Sequence, residues 1–222
     1  MNERSAEEWL AETVAACDRI RAGLAASIEM RDRATYQHSV RVTRMACAVA
    51  RELGWDTARI KELESGALLH DVGKIAVPDS VLCEDKTLSR GERALLNQHP
   101  IKGAEMLEEI RFLTLLVGVI RHHHERWDGS GYPEGLQGEE IPEAARLVAV
   151  VDAFDAMVTE RPRHAAIPAA AAHQGIAGRA GTAFDPQMVE AFHRCWERGD
   201  SAIRATSPLP RDTFDRITGW TR

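Results

Sequence analysis

Apolar residues in this chain return every three or four positions and almost never every two, a rhythm that makes helices and leaves no room for sheets. Val42, Met45, Ala46, Val49 and Leu53 form the clearest stripe, with the spacing of one buried helix face. Aromatics are only 5% of the residues, and alanine, leucine, glutamate and arginine, all good helix formers, dominate. The expected fold class is all-α. A second stripe, Ile60, Leu63 and Ala67, runs into His70-Asp71-Val72-Gly73-Lys74. His70 and Asp71 fall three and four residues past Ala67, so they are read as continuing that inward face, and Gly73 lets the helix stop. A carboxylate on a buried face needs a partner. A metal ion is one, since histidine beside aspartate offers nitrogen and oxygen donors together. A helix cap or a hydrogen-bonded pair is the other reading of the dyad alone.

Punctuation residues divide the rest of the chain. A first helical segment spans about Ala6 to Ala26, with Trp9, Val14 and Ile20 among its apolar positions; it covers the core, or serves as a lead-in or dimer contact. A second helix starts near Ala34, carries His38 on the side of Val42, and ends at Gly54. On its own, His38 reads as a core histidine bonded to a carbonyl. Asp56 caps the next helix. Ile75 to Asp79 reads as a short extended or turn segment. Ser89-Arg90-Gly91-Glu92 is a capping box, and Pro100 opens the following helix, which leaves His99 at a junction. Ile141-Pro142 starts a helix on which Val148, Asp152 and Asp155 share a face, and two carboxylates there require compensating charge. An alanine-rich helix begins at about Ile167, and Asp185-Pro186 caps and opens another that runs to about Trp196. The tail from Gly199 is irregular. With no repeat and no clear linker, one domain is expected.

Three further stretches carry chemistry. The apolar run Leu113 to Ile120 leads into His122, His123 and His124, which suit metal binding better than a solvated face. Gly129 to Gly138 is a glycine-rich loop with one tyrosine, Tyr132, either a connection or a functional loop. Arg161-Pro162-Arg163-His164 reads as a surface turn or a phosphate site. The cysteines Cys17, Cys47, Cys83 and Cys195 form no C-x-x-C pair and are expected as reduced thiols. A net charge of -6 without a basic stripe argues against a long nucleic-acid partner and leaves a small anionic ligand open. No signal core or membrane-length apolar run is present, so a cytoplasmic protein off the membrane is expected.

Taken in order, the set Arg31-Asp32, Thr35, His38-Ser39, His70-Asp71-Val72-Gly73-Lys74, His99-Pro100, Gly103, His123 to Pro133, Asp152 and Asp155-Ala156 resembles the HD-GYP family of metal-dependent phosphohydrolases. Ile141-Pro142, Arg161-Pro162 and Phe184-Asp185-Pro186 extend the likeness, which covers Arg31 to about Trp196. The resemblance implies an HD-domain helical bundle with a GYP loop: residues 1–30 a helical lead-in, 31–198 the HD-GYP domain, 199–222 a tail. It implies hydrolysis of cyclic di-GMP to pGpG, GMP or both. By matching positions, the metal ligands are His38, His70, Asp71, His99, His123, His124 and Asp152, with Asp71 shared between two divalent ions, iron or manganese. His122 is left as an extra residue. Asp71 and Lys74 are the implied catalytic residues, and Lys74, Tyr132 and Arg161 the implied substrate contacts. The implied partners are cyclic di-GMP and, through the GYP loop, diguanylate cyclase domains; a homodimer is allowed. Two positions depart from the pattern. Ala34 stands where some members have a glutamate for a third metal, so two ions are expected. Arg163-His164 stand where a tyrosine and a fixed cation are common, which weakens the expected phosphate grip. The competing readings are a cyclic dinucleotide sensor or docking module of low activity, and a phosphodiesterase for another cyclic dinucleotide.

Overall fold

A computed structural model describes residues 6–82, 87–109, 114–160 and 165–204. These residues form helices joined by turns, and their only bridges are the isolated pairs Asp128–Gln137 and Ala180–Phe184. Helix α1 (Ala6–Arg31) runs five residues beyond the expected Ala26. Helix α2 (Arg33–Glu52) follows at once, because Asp32 turns the chain and its carboxylate accepts from the N–H groups of Ala34 and Thr35. The expected stripe of α2 is buried: Val42, Met45, Ala46 and Val49 pack against Leu63 and Ala67 of α3 (Thr57–Leu69), Val148, Val151 and Phe154 of α8 (Glu143–Val158), and Met188 and Phe192 of α10 (Pro186–Glu197). A second cluster joins Ala25 and Ile28 of α1 to Val40, Leu68, Leu69, and Leu116 and Ile120 of α7 (Thr114–His122). Helices α2, α3 and α7 feed both clusters, and each delivers a histidine where they meet.

Helix α3 does not reach the His-Asp pair. It stops at Leu69, His70 caps it, and Asp71 leads into a 3₁₀ turn, Val72–Ala76, which begins three residues before the extended or turn segment expected from Ile75. The reason is tertiary. A Cβ on Gly73 would collide with the His99 carbonyl and the Gly103 N–H, so two main chains touch where α3 ends and α6 (His99–Glu105) begins. Gly73 is needed for that approach and not for a helix stop. The guanidinium of Arg31, the last residue of α1, clasps the carbonyls of Ile75 and Val77 and the carboxylate of Asp79, and so braces the turn.

Between these parts lie α4 (Asp79–Leu82) and α5 (Arg90–Leu96), the latter with both halves of the expected Ser89–Glu92 capping box. The alanine-rich helix α9 (Ala169–Ala177) begins two residues later than expected, with Pro168 as its N-cap. In the described part of the tail, α11 (Ser201–Arg204) buries Ile203 in the core; residues 205–222 lie outside the described residues. Among the described residues no helix is long and apolar enough to cross a membrane. Cys17, Cys47 and Cys195 are buried free thiols, while Cys83 lies outside the described residues.

Candidate metal centre

The structure brings His38, His70, Asp71, His99, His123, His124 and Asp152 into one pocket. Their donor atoms fall into two groups, His38–His70–Asp152 and His99–His123–His124, linked by His70–Asp71–His123; within each group they lie within 4.8 Å of one another. Helices α2 and α8 supply one side, α6 and α7 the other, and the turn at Asp71 stands between them.

The imidazoles are pinned from behind. His70 Nδ1 is 2.6 Å from the Ala67 carbonyl, His99 Nδ1 2.8 Å from that of Leu96, and His123 Nδ1 2.9 Å from that of Ile120. A carbonyl only accepts, so each Nδ1 carries the proton and each Nε2 turns a lone pair into the pocket. Two of those lone pairs, on His99 and His123, face one another at 3.3 Å. A third, on His70, is buried without a hydrogen bond. Such an array is repulsive unless a proton or a cation sits inside it. The proton is disfavoured: burial, reinforced by His124, His70 and His99, holds His123 well below the usual histidine range against the pull of Asp71. Burial, with His99 and Lys74 and against Asp152 and Asp71, lowers His124 to about 4. A divalent transition metal fits this donor set.

The other side is anionic. His38 Nε2 lies 2.9 Å from Asp152 Oδ1 and its Nδ1 2.6 Å from Asp155 Oδ2. Burial disfavours charge on His38, but the hydrogen bonds to Asp152 and Asp155 outweigh it and raise its pKa. Asp155 is held in turn by a fork from Arg41, whose Nε and Nη2 lie 2.7 and 2.8 Å from its two oxygens. Between the groups, Asp71 Oδ1 is 3.2 Å from His99 Nε2, and Oδ2 is 2.6 Å from Lys74 Nζ and 3.5 Å from His70 Nε2. Burial pushes its carboxyl up, yet the charge of Lys74 works against burial, and the carboxyl lies well below the usual range. Lys74 therefore rests on Asp71 here, with a quarter of its side chain exposed.

Tyr132, from the glycine-rich loop, stacks on His124 with centroids 4.9 Å apart. Burial, with Asp71 and Asp152, raises its phenol above the ordinary tyrosine value and keeps it a donor. The loop closes tightly: a Cβ on Gly131 would run into the main chain of Glu125 and Arg126. His122 stays out of the pocket, with Nδ1 3.1 Å from the Gly118 carbonyl and Nε2 3.3 Å from Glu134. Arg161, with Arg163 and His164, lies outside the described residues.

Two residues that the sequence reading did not single out shape this site, Arg41 and Glu125. A signal for the first existed. His38 and Arg41 are three apart on α2, Asp152 and Asp155 three apart on α8, so facing helices carry matched pairs. Glu125 stood inside the run His123 to Pro133 that carries the resemblance, with no role assigned to it.

A family profile described as HD domain matches residues 24–188. The chain is 42% identical over 173 residues to "Cyclic di-GMP phosphodiesterase response regulator RpfG" of Xanthomonas campestris, covering 77% of this chain and 46% of the relative. It is 37% identical over 192 residues to a "Cyclic di-GMP phosphodiesterase" of Thermotoga maritima, covering 86% and 52%. The chain thus spans about half the length of the relatives it matches. Among solved structures it is similar to Bd1817, described as an HDG"Y"P protein from Bdellovibrio bacteriovorus, with a TM-score of 0.62 and 27% identity over 75% of this chain and 53% of that one.

Proposed function

The chain belongs to the HD-domain family, and on that premise we propose that it is a metal-dependent phosphodiesterase that opens cyclic di-GMP to pGpG and onward to GMP. The relatives named for that activity support the substrate. The observation that carries the chemistry is the inward-facing set of imidazole lone pairs, with His99 and His123 opposed at 3.3 Å and His70 unpartnered. In this reading His38, His70 and Asp152 would hold one divalent ion and His99, His123 and His124 a second, with Asp71 between the two sets. Bound iron or manganese supplies Lewis acidity against the phosphodiester oxygens.

The protein's own residues do the rest. Asp71, kept ionised by the neighbouring Lys74, stands between the halves as a negative charge. Lys74 lies at the pocket edge with its ammonium on Asp71 Oδ2. From that edge Nζ would neutralise a phosphate oxygen or give a proton to the leaving 3′-oxygen. Tyr132 offers a phenolic donor beside His124, and its loop shields that half from water. Arg161 contributes a phosphate or guanine contact, and the loop a docking edge for a diguanylate cyclase domain. Activity in the cytoplasm follows from the location of such a substrate.

The test is anaerobic incubation of the purified chain with Fe(II) or Mn(II) and cyclic di-GMP, read by product chromatography beside metal content. Turnover with about two ions per chain is expected. Lys74→Ala should keep the metal and slow turnover roughly 100-fold. Bound metal without turnover of cyclic di-GMP, but with turnover of another cyclic dinucleotide, would reassign the substrate; bound metal with neither would make the protein a sensor.

A further inference from the structure

We propose that Glu125 is a positioning residue that locks the tyrosine-bearing loop onto the His124 side of the pocket, and so sets the grip on the dinucleotide without touching the metal chemistry. This rests on the phosphodiesterase reading above. Glu125 follows His123 and His124 directly and is 3% exposed. Its side chain turns away from the pocket and under the loop. Oε1 accepts from two successive backbone N–H groups, Glu134 at 2.7 Å and Gly135 at 3.1 Å. Oε2 is buried and has no hydrogen-bond partner. A buried carboxylate with one bare oxygen is costly, and paired N–H groups of a turn are the compensation it has here.

The rest of the loop shows what that attachment holds. Tyr132 N–H donates to the His124 carbonyl at 3.2 Å, and Gly131 packs on the main chain of Glu125 and Arg126. The Tyr132 ring then lies on the His124 imidazole. The loop is thus tied before the tyrosine by main chain and after it by Glu125. A second clasp lies outside, where Arg121 and His122 approach the Glu134 carboxylate at 3.3 Å each. Those groups are partly exposed and screened by solvent, so they hold the loop weakly. The buried Glu125 bonds are the ones that keep Tyr132 from lifting off.

The experiment compares wild type, Glu125→Ala and Glu125→Gln, all loaded with Mn(II), on two substrates. Bis(p-nitrophenyl) phosphate is small and reports the metal centre; cyclic di-GMP needs the loop. Glu125→Ala should keep its metal and its rate on the small diester within about twofold, while KM for cyclic di-GMP rises roughly tenfold or more and kcat changes by less than about threefold. Glu125→Gln keeps the accepting oxygen and should recover most of the KM. Equal losses on both substrates, or lost metal, would overturn the proposal, because Glu125 would then support the centre itself. No change on either substrate would overturn it equally. Should wild type cleave the small diester but not cyclic di-GMP, the substrate reading fails by itself. Hydrogen exchange at residues 131–135 then decides the proposal: faster in Glu125→Ala than in Glu125→Gln at equal metal content upholds it, and equal rates sink it.

Discussion

The two sides of the pocket solve one problem in opposite ways. On the side of α2 and α8, His38 sits between Asp152 and Asp155, with Arg41 behind, and its affinity for a proton is raised. On the side of α6 and α7, His99, His123 and His124 face one another without a carboxylate of their own, and protons are driven off His123 and His124. The first side is charged and satisfied by a proton; the second is neutral and satisfied only by a cation. Asp71, between them, belongs to both. A symmetric list of ligands would hide that difference.

Removing the shared residue should have the largest effect. Asp71→Ala is expected to empty both sides and lower turnover by at least about 10³-fold, with metal analysis and rate measured on the same preparation; full metal and full rate in that variant would dismiss the assignment. One step down, Asp152→Ala and His124→Ala should each leave about one ion per chain. Only the first should alter how binding depends on pH, because only its side surrenders a proton from His38. Calorimetry in two buffers of different ionisation enthalpy checks this: near pH 7, filling the His38 side should release more protons than filling the other. If the two sides release equally, the contrast drawn here is wrong. Smaller still, Asp155→Asn should weaken metal at the His38 side roughly 10- to 100-fold and leave the other side unchanged in competition with a chelator.

The smallest effect is on stability without metal. His124 takes its proton at about 4 in the fold and at 6.5 when free, and His123 is shifted the same way. The unfolded chain therefore binds protons first, and stability falls as pH drops from 6.5 towards 4. His38 works in reverse: its raised pKa adds stability below 6.5 that is lost as pH rises through the folded value. Urea unfolding of metal-free protein across that range should show a net loss towards acid, and His124→Gln should flatten it.

Local chemistry made much of this legible. Caps at Asp56, Ser89 and Asp185 mark helix starts because the capping atoms lie within three residues of the groups they satisfy. The stripe of α2 named the core face for the same reason. What could not be read depends on distant residues. His70 and Asp71 leave α3 because Gly73 must meet His99, 26 positions on, so the helical face assigned to them ended one turn early. Asp155 was seen as a carboxylate in need of a cation, and the matched spacings His38–Arg41 and Asp152–Asp155 hinted at its partner, but Arg41 is 114 residues away and only the fold sets α2 against α8. Glu125 stands in the ordered set that carries the resemblance, but its partners, the N–H groups of Glu134 and Gly135, lie nine and ten residues on, and only the folded loop brings them to it.

The contact between Gly73 and the first turn of α6 also has a metrical consequence. Side chains can rotate to suit a larger or smaller ion, but the distance between the Asp71 turn and α6 is set by two peptide backbones already touching. That distance behaves as a fixed gauge. Exchanging donors around the rim would retune how strongly an ion is held, whereas the spacing of Asp71 from His99 would change only if the glycine itself were replaced and the turn wedged away from α6.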